Sequence, residues 1–168
     1  MRYPSTSGFR KTASGFTLLE VLIAILVLAF GLLGLAGLQG IGLLNNKGAY
    51  LRSTAILQAY DMGDRMRANK TGMKDGDYDG ITTTIPSDPG CITTGCTPAQ
   101  LEQYDAHEWN TNNKTLLPSG IGTVTKVGDI FVISVMWDDE RKGVTGTGCD
   151  PTNPDDMKCF QLRLRLQV

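Results

Sequence analysis

The chain of 168 residues has one histidine, His107, which removes most metal-centre and catalytic-triad chemistry at the outset. Positive charge is not in excess. Sixteen Lys and Arg face 17 Asp and Glu, so the formal charge is -1 and a strongly basic nucleic-acid binder is not the default reading. No glycine-rich phosphate loop and no nucleophile elbow occur. A mean hydropathy of -0.10 excludes a multi-span membrane protein. With 41% apolar and 20% charged residues the composition is ordinary for a globular chain, which excludes wholesale disorder. The length suits about one domain plus an appendage.

One absence is local and more telling. From Val21 to Asn46 there is no charged residue. As a helix that run spans roughly 39 Å, enough to cross a hydrocarbon core of about 30 Å. A soluble core helix seldom needs so long a run that is apolar all round. Ahead of it, residues 1–15 carry Arg2, Arg10 and Lys11 and no acid, which keeps that end cytoplasmic and sends the far side out. No Ala-x-Ala cleavage site with turn chemistry closes the apolar run, so an ordinary secretory signal does not fit and an uncut signal anchor does.

The junction is sharper than an anchor requires. Gly15-Phe16-Thr17-Leu18-Leu19-Glu20 sets a glycine before an aromatic residue and then an isolated acid inside the apolar start. This stretch resembles the class III signal of type IV pilins and related pseudopilins. The resemblance implies that a prepilin peptidase cuts between Gly15 and Phe16 and methylates the new amine, leaving the apolar segment in the mature protein. Removal of Arg2, Arg10 and Lys11 takes the formal charge from -1 to -4, before the new amine is counted. A carboxylate inside a membrane helix costs about 2.5–3.5 kcal/mol, so one that is kept there usually has a partner. Phe16 and Glu20 are one helical turn apart, so Glu20 can neutralise its own terminal amine or that of an incoming neighbour. The resemblance implies the second, a docking role. The plainer alternative is a favourable contact with the helix dipole, worth about 0.3–1 kcal/mol.

Glycines at 31, 34, 37, 40 and 42 each cost about 1 kcal/mol relative to alanine in a helix. Either they allow close packing in the bilayer, or they let the segment lose helix on leaving lipid. The second is favoured by resemblance to assembled type IV pili, although the proline often found beside their melted stretch is lacking here. The stretch from Phe30 to Gln39, and later Asp61-Met62-Gly63-Asp64-Arg65-Met66-Arg67-Ala68-Asn69, resemble the PilV class of minor pilins, also described as type IV pilus modification proteins.

Beyond the apolar run, Leu51, Ala55, Ala59, Met62 and Met66 recur at steps of three and four, predicting an amphipathic helix from Lys47 to about Asn69. Asp61 and Arg65 form an i,i+4 pair within it. Residues 70–97 read as a loop region. Thr97-Pro98-Ala99-Gln100 is a capping box with proline at the first helical position, opening a short helix to about Trp109 that carries His107. Pro118-Ser119-Gly120 breaks the chain. Three strands are predicted, over 122–127, 130–137 and 160–168. In the last, Phe160, Leu162, Leu164, Leu166 and Val168 alternate with polar residues. The expected fold is α+β, like a type IV pilin: a long N-terminal helix packed on a small antiparallel sheet, with disulfide-stapled loops. The expected divisions are a cleaved leader over 1–15, a hydrophobic stem over 16–46 and a periplasmic head over 47–168.

Four cysteines, Cys91, Cys96, Cys149 and Cys159, allow three connectivities; proximity favours Cys91–Cys96 and Cys149–Cys159 in an oxidising compartment. Zinc is disfavoured because no paired CxxC knuckles occur. In pilins a C-terminal disulfide loop is a common site of surface contact. Asp75, Asp77 and Asp79, in Asp75-Gly76-Asp77-Tyr78-Asp79-Gly80, match the first half of a calcium loop, but Pro86 stands where a bidentate glutamate belongs; a solvated acidic turn is the alternative. No cofactor and no enzymatic activity are expected.

The resemblance implies a non-enzymatic minor pilin, held in the inner membrane as a single-pass protein and then assembled into an extracellular pilus, with a priming or tip role. Effects on adhesion, twitching motility or DNA uptake are implied. The implied partners are other minor pilins, the major pilin, the prepilin peptidase, the inner-membrane assembly platform and a pilus-tip adhesin. Nucleic acid is not expected, since Arg163 and Arg165 alone are too little for a basic stripe. The alternatives are a type II secretion minor pseudopilin and a membrane-anchored periplasmic binding or enzymatic domain.

Overall fold

A computed structural model describes residues 15–165. The leader, apart from Gly15, and the predicted strand positions Leu166 and Val168 lie outside the described residues. The described chain divides into two units between Leu44 and Asn45. Helix α1 runs unbroken from Leu18 to Ala68, through all five stem glycines.

In the first unit every described residue is exposed. A helical window of mean hydropathy 2.8 has none of its residues buried, and this is the helix among the described residues long and apolar enough to cross a membrane. The helix start follows from Thr17. Its Oγ1 accepts a hydrogen bond from the Glu20 amide at 3.2 Å, and its carbonyl accepts from the amides of Glu20 and Val21. Thr17 is thus the N-cap, and it takes up one of the amides that a helix start leaves without a partner.

In the second unit α1 changes character. Leu51, Ala55, Ala59, Met62 and Met66 are buried in the core, as their spacing predicts. The small residues on this stripe let the sheet approach: Gly63 faces Leu162 and Ile133. The sheet has three antiparallel strands in the order β1 (Ile121–Val127), β2 (Ile130–Trp137), β3 (Lys158–Arg165). Phe131, Ile133, Val135 and Trp137 of β2 point into the core, and register places Leu164, Leu162 and Phe160 of β3 beside the first three of them. A tight turn over 128–129 joins β1 to β2, and the longer segment 138–157 joins β2 to β3; neither connection contains a crossover helix, in keeping with antiparallel pairing.

Residues 70–97 are not all loop. Helix α2 (Lys70–Asp75) starts at Asn69, whose side chain accepts from the Gly72 amide, and stops at Gly76, whose φ of 88° is a left-handed cap that glycine adopts without strain. Six residues are too few for a periodic signal, which is why this helix was unexpected; burial of Met73 holds it. A short turn of helix, α3 (Cys91–Thr94), follows. Helix α4 (Pro98–Leu116) carries the predicted capping box but runs past Trp109 to Leu116. Its extension is stabilised by buried polar side chains. Asn110 donates to the carbonyls of Thr82 and Gly122 and accepts from the Gly122 amide at 2.7 Å, supplying what a sheet neighbour would supply. Trp109 is fully buried, and its Nε1 donates to the Gln58 carbonyl at 2.8 Å, fastening α4 to α1.

Candidate functional site

The N-terminal element is built from few parts. Phe16 is 83% exposed, one residue ahead of the cap, and Glu20 sits in the first turn. An acid there complements the amide-rich end of the helix. Thr17-Leu18-Leu19-Glu20 also has the form of a capping box, a signal that sequence reasoning passed over; Thr17 supplies its side-chain acceptor. The element offers no pocket and no nucleophile-base pair. It offers a fixed helix start, an acid one turn in, and an apolar surface beyond.

A buried polar cluster joins α1, α4 and the segment after α2. Asp105 on α4 accepts from the Tyr78 hydroxyl at 2.6 Å and from Arg65 on α1 at 3.3 Å, while Arg65 also donates to Asp61 at 2.8 Å. Asn69 Nδ2 donates to Tyr78 Oη and to the Pro98 carbonyl. Burial, helped by the bond to Asp105, pushes the Tyr78 hydroxyl far up, so it stays protonated and donates. Burial opposes the Arg65 charge, but Asp61 and Asp105 together outweigh it and raise its pKa. Half-buried Glu102 is pushed up to about 7, first by burial and then by the charges of Asp77 and Asp105. His107 is partly buried, with Nδ1 2.7 Å from the Pro86 carbonyl, a contact that requires Nδ1–H as donor.

Both short-range cysteine pairs are bonded, Cys91–Cys96 across α3 and Cys149–Cys159 at the entry to β3. The second loop is organised by hydrogen bonds around one buried apolar side chain, Met157. Asp156 accepts from the Asp150 amide and from Asn153 Nδ2, and Asp150 accepts from the Thr152 amide and hydroxyl, which holds its carboxyl below the usual range. Between this loop and the segment after β2 lies a cavity of about 390 Å3, beside the exposed Lys142–Glu140 ion pair.

Asp75, Asp77 and Asp79 are not brought together. Asp75 ends α2, and Asp79 accepts from the Lys126 amide at 2.8 Å. Among the described residues no three His, Cys, Asp or Glu side chains form a group that could hold a metal ion.

Residues 10–36 match the prokaryotic N-terminal methylation motif. No curated protein and no solved structure matches the chain. The match spans Gly15, Phe16 and Glu20, the Thr17 cap and the first part of the exposed apolar helix. It supports a subunit of the type IV pilin-like or pseudopilin kind: a structural chain rather than an enzyme, processed by a prepilin peptidase, assembled with pilus-type components and anchored in the inner membrane by its apolar helix.

Proposed function

We propose that the chain is a minor pilin of a bacterial type IV pilus, of the PilV class. Residues 1–15 are a leader cut between Gly15 and Phe16, residues 16–46 hold the subunit in the inner membrane before assembly, and residues 47–168 form a periplasmic head. After cleavage and methylation of the Phe16 amine, the stem enters a helical bundle with other minor pilins and the major pilin in a priming or tip complex. The assembly platform of the inner membrane drives this step, and a tip adhesin is a further partner. Adhesion, twitching motility or DNA uptake is the outward effect.

The observation that carries this reading is the coincidence of the methylation motif over residues 10–36 with a helix that begins directly after Thr17 and leaves its apolar surface wholly exposed. The resemblance of residues 30–39 and 61–69 to PilV-class stems favours the pilus over the secretion pseudopilin. Once the leader is gone, Thr17 starts the helix one residue from the new amine. Glu20 then presents its carboxylate one turn inside, where an incoming amine neutralises it more cheaply than lipid can.

Mass spectrometry of the mature chain tests the processing: a product that starts with methylated Phe16 is expected, and an intact Met1 would overturn the reading. Two substitutions separate the roles open to Glu20. Glu20→Gln removes the charge and keeps a polar side chain of the same length, whereas Glu20→Ala removes the polar group altogether; the bond from the residue-20 amide to Thr17 Oγ1 survives in both. If the charge docks the subunit, both variants insert in the membrane and both fail to enter pili. Normal incorporation of Glu20→Gln would leave Glu20 only a local helix-start role.

A further inference from the structure

The two edges of the sheet are treated differently. The outer edge of β1 is partly closed: the Val124 amide donates to the Ile81 carbonyl at 3.0 Å, the Gly80 amide donates to the Val124 carbonyl at 3.1 Å, and Asp79 takes the Lys126 amide. At β3 the Cys149 loop is tied to Cys159 near the start of the strand, but it makes no such backbone bonds. Among the described residues no strand and no loop backbone takes up the outward-facing amides and carbonyls of Lys158–Arg165. An open edge of this length is a template for one more strand.

A groove of about 770 Å3 opens beside the C-terminal end of β3, and no residue of β2 lines it. Arg67, Lys70 and Lys74 reach it from α1 and α2, and Arg163 and Arg165 from the strand. Met73 and Leu164, both nearly buried, form its apolar base. No acid lines it, although the chain as a whole is slightly acidic; five of the 16 Lys and Arg are gathered here. Arg67 pairs with Asp64 on its own helix, while Lys70, Lys74, Arg163 and Arg165 have no ion pair among the described residues. Arg163 and Arg165 alone would serve to keep sheet edges apart, as charges on edge strands commonly do. Three more cations converging from α1 and α2, over an apolar base, go beyond that duty.

We propose that the outer edge of β3 is a docking site for an extended acidic segment of a partner protein, which adds to the sheet as a fourth strand. Main-chain hydrogen bonds to the open edge supply affinity, and the charges supply choice of partner. Arg163 and Arg165 lie two apart and so on one face of the strand, where acids at alternate positions of an added strand come opposite them. A polypeptide suits the groove better than a nucleic acid, because no aromatic side chain lines it to stack a base. The inference is independent of N-terminal processing, since the head can be tested whether or not the leader is cut.

The test uses the full chain in detergent micelles and a fluorescent peptide of alternating Glu and Val, eight residues long like β3. Binding is expected, weakening at least about tenfold as ionic strength rises from about 0.1 M to about 1 M and the screening length falls from about 10 to about 3 Å. A peptide of the same charge with alternate amides N-methylated should bind at least about tenfold more weakly, because it cannot complete a ladder. Arg163→Glu with Arg165→Glu should abolish binding. So should Lys70→Glu with Lys74→Glu, which leaves the strand untouched. Four results would overturn the proposal: no binding of the acidic peptide, equal binding of its N-methylated form, wild-type binding by both double variants, or displacement of the peptide by double-stranded DNA of about 20 base pairs at low salt.

Discussion

Replacing Asp105 by alanine tests how the head is held together. The Asp105 carboxylate takes the Tyr78 hydroxyl at 2.6 Å and the Arg65 guanidinium at 3.3 Å, and it is almost wholly buried. Its removal leaves the buried Tyr78 proton without an acceptor, since Asn69 offers that hydroxyl only a donor. An orphaned buried donor costs about 1–3 kcal/mol. Arg65 is not stranded, because Asp61 still holds it at 2.8 Å, so its share of the loss is about 0.5–1 kcal/mol. Asp105→Ala should therefore destabilise the head by about 1.5–4 kcal/mol, and Asp105→Asn, which keeps an acceptor oxygen, by about 1–2 kcal/mol. Guanidinium unfolding of the full chain in micelles, followed by the fluorescence of buried Trp109 and Trp137, reads both numbers. A double-mutant cycle with Tyr78→Phe isolates the hydrogen bond, and a coupling of about 1.5–3 kcal/mol is expected for a bond to a charged group. Coupling below about 0.5 kcal/mol would refute the claim that this pair fastens α4 to the segment after α2.

Three further outcomes are expected. Glu102 ordinarily titrates near 4.5 and is raised to about 7 in the folded head, so the native state keeps its proton longer and stability falls as pH rises from about 4.5 to about 7, then levels off. Solvent on its exposed side limits the effect to about 1–2 kcal/mol, and the difference between wild type and Glu102→Gln across that range isolates it; no difference would remove Glu102 from the account. At Gly122 a Cβ would strike the Trp109 ring, so Gly122→Ala should cost about 1–3 kcal/mol by overpacking, seen as a lower Tm and altered near-ultraviolet dichroism. Replacing Cys149 and Cys159 together by serine should cost about 2–3 kcal/mol and speed hydrogen exchange most in the loop and at the start of β3, where local opening is added to the global loss.

Regular patterns made much of the fold legible. The stripe from Leu51 to Met66 and the alternation of β2 and β3 are periodic signals, and the capping box at Thr97 is a local chemical one; none needs knowledge of distant residues. The fold departed from expectation where the chain stabilises itself by other means. Helix α4 runs past Trp109 with Asn110 and Asn113 buried inside it, and Asn110 bonds the Gly122 backbone of β1 and the Thr82 carbonyl. Helix α2 depends on the Asn69 cap and a single buried methionine. Of the candidate sites, the N-terminal motif could be read directly because its residues are contiguous. The basic groove could not, because Arg67, Lys70 and Lys74 meet Arg163 and Arg165 only through tertiary packing. Arg163 and Arg165 taken alone look like the wet face of a strand.

Helix α1 serves two solvents, and that difference fixes what the chain must do. From residue 47 to Ala68 one stripe is buried in the core and most of the remaining positions are polar, with Tyr50, Leu57 and Tyr60 the large apolar side chains left exposed. From Leu18 to Leu44 leucine, isoleucine, valine and phenylalanine stand exposed on every side. Each such side chain left in water forgoes about 1.5–3 kcal/mol of burial, and a run of this length forgoes roughly tens of kcal/mol, more than the 5–15 kcal/mol that stabilises a typical domain. A free energy of that size cannot be a by-product of folding the head. It requires an apolar surrounding, either lipid or the stems of other subunits, and exchange between the two is nearly balanced because lipid tails are as apolar as leucine. Under the proposed function Glu20 tips that balance, since a carboxylate is costly in hydrocarbon and an amine beside it relieves the cost.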